Sequence, residues 1–216
     1  MATTYLTLVN DVLVRLRESE AGTVQATTYT KLIGKFVNDA KRQVEDAFNW
    51  NALNTAVTLS TTAGTSTYSV TGSGQRFRVD SVSDDTNKIV LRNETTDNMD
   101  YFILTNSDTG KIQYYYFNGV DSNGDTKVTF YPTPDAVYSI TFNITKPAVN
   151  LSADSDTISI PSEPVILGAT ARAIAERGED GGLAGNELYA LYKQSLSDAI
   201  ALESGRYIED DSWIST

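Results

Sequence analysis

The chain is 216 residues long, 40% apolar and 21% charged, which is enough for a sizeable core in one large or two small domains. It has no cysteine and no histidine, which excludes disulfides, thiolate nucleophiles, zinc sites of the usual kind and the commonest general base. The net charge is −11, with six acids and six bases in 1–54, ten and seven in 55–150, and twelve and four in 151–216; a tight DNA binder would show a basic face instead.

The first predicted helix spans 3–18, with Tyr5, Leu6, Leu8, Val9, Val12, Leu13 and Leu16 facing inward. A loop over 19–26 leads to a second helix over 28–50, the stretch around which the chain is expected to organise. Its apolar stripe runs through Tyr29, Leu32, Ile33, Phe36, Val37, Ala40, Val44, Ala47 and Phe48. Lys31, Lys35, Asn38, Asp39, Lys41, Arg42, Glu45 and Asp46 fall mostly on its wet face. Thr27 or Thr28 can cap it, and the two helices form a hairpin.

From residue 55 the period drops to 2. Val57 and Leu59, then Tyr68 and Val70, read as half-buried strands joined by a hairpin turn at 61–64. Further strands are expected over 76–82 and 89–92, with a turn at 84–87 between them. Residues 93–98 read as loop, and 101–104 fits either one helical turn or a short strand. Strands follow over 112–117, 128–131 and 137–146, with a turn at 121–125 and a proline-punctuated break at 132–135. After a Ser/Asp-rich connector over 147–159, a helix opens at Pro161-Ser162-Glu163-Pro164, with Ser162 as cap, and closes at Arg177-Gly178. The last helix covers 187–202, its stripe formed by Leu188, Leu191, Tyr192, Leu196, Ala199 and Ile200.

The expected fold class is therefore α+β, a helical bundle from the N- and C-terminal helices with an inserted antiparallel β-sheet or sandwich and an extended C-terminal tail. The domains are expected at 1–54 (helical hairpin), 55–150 (β domain), 151–202 (helices completing the bundle) and 203–216 (tail). No stretch approaches the roughly 18 apolar residues of a membrane span. The start, Met1-Ala2-Thr3-Thr4, lacks the features of a secretory signal, so a reducing cytoplasm is expected.

The ordered set Leu8-Val9-Asn10-Asp11-Val12-Leu13, Phe36-Val37-Asn38-Asp39-Ala40-Lys41, Phe48-Asn49-Trp50-Asn51, Thr129-Phe130-Tyr131-Pro132-Thr133-Pro134-Asp135, Ile160-Pro161 leading into 169–176, and 189–196 resembles the head-to-tail connector (adaptor) proteins of tailed bacteriophages, the group that includes the tail tubular protein A type. The stretch 100–119 departs from that pattern, and 203–216 follows none. The resemblance implies a structural protein without enzymatic activity or cofactor. It implies a ring of about a dozen copies under the portal protein, carrying a tail or nozzle protein and letting double-stranded DNA pass without sequence-specific binding. It places the protein at the head–tail junction of the virion, assembled in the host bacterial cytoplasm.

Other signals read as local structure. Gly72-Ser73-Gly74 lacks the helix and lysine of a phosphate loop and reads as a hairpin turn. Asp121-Ser122-Asn123-Gly124-Asp125 lacks the distal glutamate of a calcium loop and reads as a turn. Asp84-Asp85 and Glu209-Asp210-Asp211 read as solvated clusters, no catalytic or metal-binding set being nominated. Tyr114-Tyr115-Tyr116-Phe117 fits strand burial better than ligand stacking. Tyr207, Ile208, Trp213 and Ile214 are expected to dock the tail on the portal or a neighbouring subunit. Two alternatives stay open: a carbohydrate- or receptor-binding β module, and a carboxylate-based cell-wall hydrolase.

Overall fold

The computed structural model describes residues 3–106, 108–178 and 183–206. It is mixed α+β, and the chain divides into two compact units: residues 1–53 with 148–216, and residues 54–147. N- and C-terminal helices flank the β region in sequence.

In the helical unit, α1 (Tyr5–Arg15) starts at Thr4, whose hydroxyl accepts from the Thr7 amide, and buries Tyr5, Leu8, Val9, Val12 and Leu13. Helix α2 (Thr28–Ala47) is capped by Thr27 in a reciprocal box with Thr30, which satisfies two amides that the first turn leaves unpaired. The periodicity in α2 correctly separates Ile33, Val37, Ala40 and Val44 from exposed Lys31, Lys35, Asp39, Arg42 and Asp46. It misplaces Lys41 and Glu45. Both are buried and paired with each other at 2.9 Å. Period alone cannot tell a wet face from one covered by a returning loop.

The helix at the centre of this unit is α4 (Ser162–Arg177) rather than α2. Residues Pro164, Val165, Ile166, Leu167, Gly168, Ala169, Thr170, Ala171 and Ala173 are all buried, and α4 packs against α1, α2 and α5 (Leu183–Ser204). A helix apolar on nearly every side belongs inside. Gly168 permits the close approach, since a Cβ there would lie 3.2 Å from the Tyr192 ring and 3.3 Å from Ala40 Cβ. The expected cap at Ser162 is absent: Pro161 holds the cap position without a side-chain bond, and Ser162 is already helical. Gly178 closes α4 at a φ of 66°, a left-handed conformation that glycine adopts without steric cost.

Polar side chains lock the connectors onto these helices. Asn10 donates to Ala21 O at 3.1 Å and accepts from Ala21 N–H at 2.9 Å. Asn38 does the same for Leu151, at 3.0 and 2.8 Å. Asp156 accepts from the amides of Ser152 and Ala153, at 2.7 and 2.8 Å, and these hold its carboxyl below the ordinary value. Because Leu151 is buried, Asn38→Ala strands an N–H and a C=O away from water. We expect a loss of about 2–3 kcal/mol in denaturant unfolding, with Asn10→Ala, whose clamp is less buried, costing less.

The β unit holds two four-stranded sheets and one two-stranded sheet. The first has the order β1-β10-β3-β4, formed by β1 (Asn54–Ser60), β10 (Ser139–Thr145), β3 (Arg78–Asp84) and β4 (Ile89–Val90), all antiparallel. The second has the order β2-β8-β7-β5, formed by β2 (Thr67–Ser69), β8 (Thr126–Tyr131), β7 (Tyr114–Val120) and β5 (Arg92–Asn93). β5 pairs parallel with β7, and β6 (Thr109–Gly110) pairs parallel with β9 (Thr133–Pro134). One core cluster draws Ile140, Phe142, Ile144 and Val82 from the first sheet and Tyr115, Val128 and Phe130 from the second, as in a sandwich.

Several local expectations are corrected here. Residues 61–64 and 72–74 are not hairpin turns, because the strands they separate lie in different sheets. The single strand expected over 89–92 is two strands, and the chain changes sheet at buried Leu91. The loop expected over 93–98 runs into α3 (Thr96–Thr105), capped by Thr95; it also settles the ambiguity at 101–104 as helix.

Candidate assembly surfaces

Of the acidic positions singled out above, Asp84, Asp85, Asp121 and Asp125 are tied into local hydrogen bonds, Asp84 being buried rather than solvated as expected, and Glu209, Asp210 and Asp211 lie outside the described residues. Fully buried Asp84 accepts from the amides of Thr86 and Asn87, each at 3.0 Å. Asp85 accepts from Thr141 Oγ1 at 2.6 Å and Ser83 Oγ at 2.9 Å, and these bonds lower its carboxyl. Asp121 accepts from the amides of Asp125 and Asn123, the first being the main cause of its lowered pKa; Asp125 accepts from Gly74 N–H at 3.0 Å. Among the described residues, no group of three or more acidic, His or Cys side chains is placed to hold a metal ion. The run Tyr114 to Phe117 is absorbed by packing. Tyr115 is buried, Phe117 packs against the core, and Tyr114 lies 5.4 Å from the Phe102 ring of α3.

What the described surface offers is apolar side chains on several separate elements. In the helical unit these are Val14, Val149, Tyr189, Leu191 and Leu202, the last 78% exposed. Leu191 was expected inside; in α5 it is Tyr192 that turns into the core, and Leu191 is left 54% exposed. In the β unit they include Val90, Val137 and, on α3, Tyr101 and Leu104, the last 86% exposed. Helix α3 holds itself to the sheet through Met99 and through Phe102, whose ring stacks 5.3 Å from Tyr131. Tyr101 and Leu104 are left in solvent. The readable signal for this helix was the Thr95-to-Asn98 cap spacing followed by Met99 and Phe102 three residues apart.

A groove of about 330 Å³ runs between α4 and α5, floored by Gly168, Ala171 and Ala175 and flanked by Arg172, Asn186 and Tyr189. Arg172 is already engaged, donating to Gly168 O and to Gln43 Oε1 at 2.8 and 2.7 Å. The end of α5 is tied down by Glu203, which accepts from Asn51 N–H at 3.0 Å and pairs with Arg206 at 2.9 Å. The chain toward 207–216 therefore leaves from a fixed point. Tyr207, Ile208, Trp213 and Ile214 themselves lie outside the described residues.

No described helix is long and apolar enough to cross a membrane. A comparison with curated proteins finds no match for the chain. The model of the SU10 adaptor protein family matches residues 3–212, nearly the whole length, and the chain therefore belongs to that family of structural bacteriophage adaptors.

Proposed function

We propose that copies of the chain close into a ring of about a dozen beneath the portal of a phage head, in the manner of the tail tubular protein A type. The ring extends the DNA channel, and its far face carries the tail or nozzle protein. The observation that carries this reading is the adaptor-family match over residues 3–212. Two physical features agree with it. A ring closes through different faces on each copy, and exposed apolar side chains sit on several of the described elements, among them α1, α3 and α5. A chain with a net charge of −11 suits a conduit through which DNA slides without adhering, because phosphate is held mainly by Lys and Arg. Its work is structural; we assign it no catalytic residue or cofactor.

Tyr207, Ile208, Trp213 and Ile214 anchor each copy to the portal or to its neighbour in this reading. Deleting 207–216 is expected to leave the fold intact and to weaken assembly with the portal. Native mass measurement of full and truncated chains, each alone and mixed with portal, checks this. Equal assembly by the two chains contradicts the role given to the tail, and failure of both to form a ring contradicts the ring.

A further inference from the structure

Strand β1 is paired on one side only, with β10, in an unbroken register from Asn54↔Thr145 to Ser60↔Ser139. The Thr61 amide continues that register with a 2.9 Å bond to Tyr138 O. Antiparallel ladders alternate, so Thr55, Val57 and Leu59 bond to β10, and the backbone groups of Ala56, Thr58 and Ser60 point away from it. No described backbone group meets those three, and their side chains are exposed. The strand Asn54–Ser60 contains no charge and no proline, and its pairing shows no bulge. Edge strands in proteins ordinarily carry one of those devices or are very short. The other edge strands of the two four-stranded sheets are indeed short: β2 has three residues, β4 and β5 two each. Among the described edge strands of these two sheets, only β1 is left long and bare.

Outside the described residues, the chain has one stretch long enough to lie along this edge. Residues 207–216 number ten, against two, one and four at 1–2, 107 and 179–182. The stretch has no proline or glycine. It ends in the uncharged Ser212-Trp213-Ile214-Ser215-Thr216, where aromatic and β-branched residues favour a strand. An extended segment can add to an open edge through its main-chain hydrogen bonds. We propose that residues 212–216 of a neighbouring copy add to β1 as a further strand of its sheet. Each copy then offers one edge and one arm, a heterologous contact that passes from copy to copy around a ring. This rests on the ring reading above and names the contact within it.

The absence of cysteine makes the test clean. Thr58→Cys chains are mixed with Ile214→Cys chains, treated with a short thiol-specific cross-linker and mapped by peptide mass, with Asp39→Cys on the exposed face of α2 as control. Ser60→Cys replaces Thr58→Cys should the latter lower the melting temperature. The expected product links position 58 of one chain to position 214 of another, and the Asp39→Cys control yields none. A 58–58 product would mean that β1 pairs with β1, and a double variant linked within one chain would mean that the arm folds back on itself. Either result overturns the proposal, as does the absence of any link to the edge or one equal to the control. A closed ring without the 58–214 link sinks this contact alone. The link in an assembly that never closes sinks the ring instead.

Discussion

Lys41→Met is expected to destabilise the helical unit by about 3–5 kcal/mol at neutral pH, the cost of leaving one partner of a buried ion pair alone. Lys41 and Glu45 are each 2% exposed, and the Lys41 ammonium also donates to Ala148 O and Val149 O, at 3.0 and 3.1 Å. The pair thus ties the chain returning at 148–149 to α2. Burial raises the Glu45 carboxyl above its ordinary 4.5, while the Lys41 hydrogen bond, its charge and the Ala148 amide pull it back. A carboxyl raised on folding favours the folded state below its unfolded value, and that contribution is lost as pH climbs through the folded value. Without Lys41 the rise is larger, so Lys41→Met should lose more stability between acid and neutral pH than the parent chain. Adding Glu45→Leu should recover part of the loss, the two carbonyls remaining without their donor. Urea unfolding of the single and double variants across pH 4 to 7 reads all three effects. A single variant as stable as the parent would mean that the pair is hydrated and ties nothing down.

Phe142→Ala is expected to cost about 3–5 kcal/mol in the β unit, as large-to-small changes of buried aromatics do. Phe142 is fully buried on β10, between β1 and β3, and its ring centroid lies 6.2, 6.5 and 6.3 Å from those of Tyr115, Phe117 and Phe130. Three of the contacts that hold the two sheets face to face therefore meet at one side chain. Because the units have separate core clusters, the effect should be local. Hydrogen exchange should quicken across 54–147 and stay unchanged in the buried stretches of α2 and α4. Equal loss of protection in both units would show that they unfold as one.

How much of this was legible follows from the range of each interaction. The cap at Thr27 or Thr28, the stripe from Tyr29 to Phe48 and the Gly178 stop are local patterns; the structure selects Thr27, leaves Ala47 of the stripe exposed and keeps the stop. Strand positions were read nearly as well, because alternation is local too. Which strands pair was not: 61–64 looks like a hairpin turn, yet β1 finds β10 some eighty residues on. The break at Leu91 is invisible for the same reason, since a change of sheet leaves the alternation undisturbed. Lys41 and Glu45 fell on the polar side of the wheel, and only the returning segment at 148–149 buries them. The apolarity of 164–173 in α4 is visible in the sequence, but a one-sided stripe such as that of α2 gives a stronger periodic signal than a helix apolar on nearly every side. The aromatics at 207–214 are visible in the sequence and their docking stands as a proposal; the exposed face of α3, and β1 as an open edge, are not visible there, because both depend on how distant strands pair.

Imaging the neck of the virion tests the central claim most directly. About a dozen copies should form a closed ring against the portal, with an axial opening continuous with the DNA channel. Finding the chain elsewhere on the particle, or as separate copies with no shared axis, would contradict it.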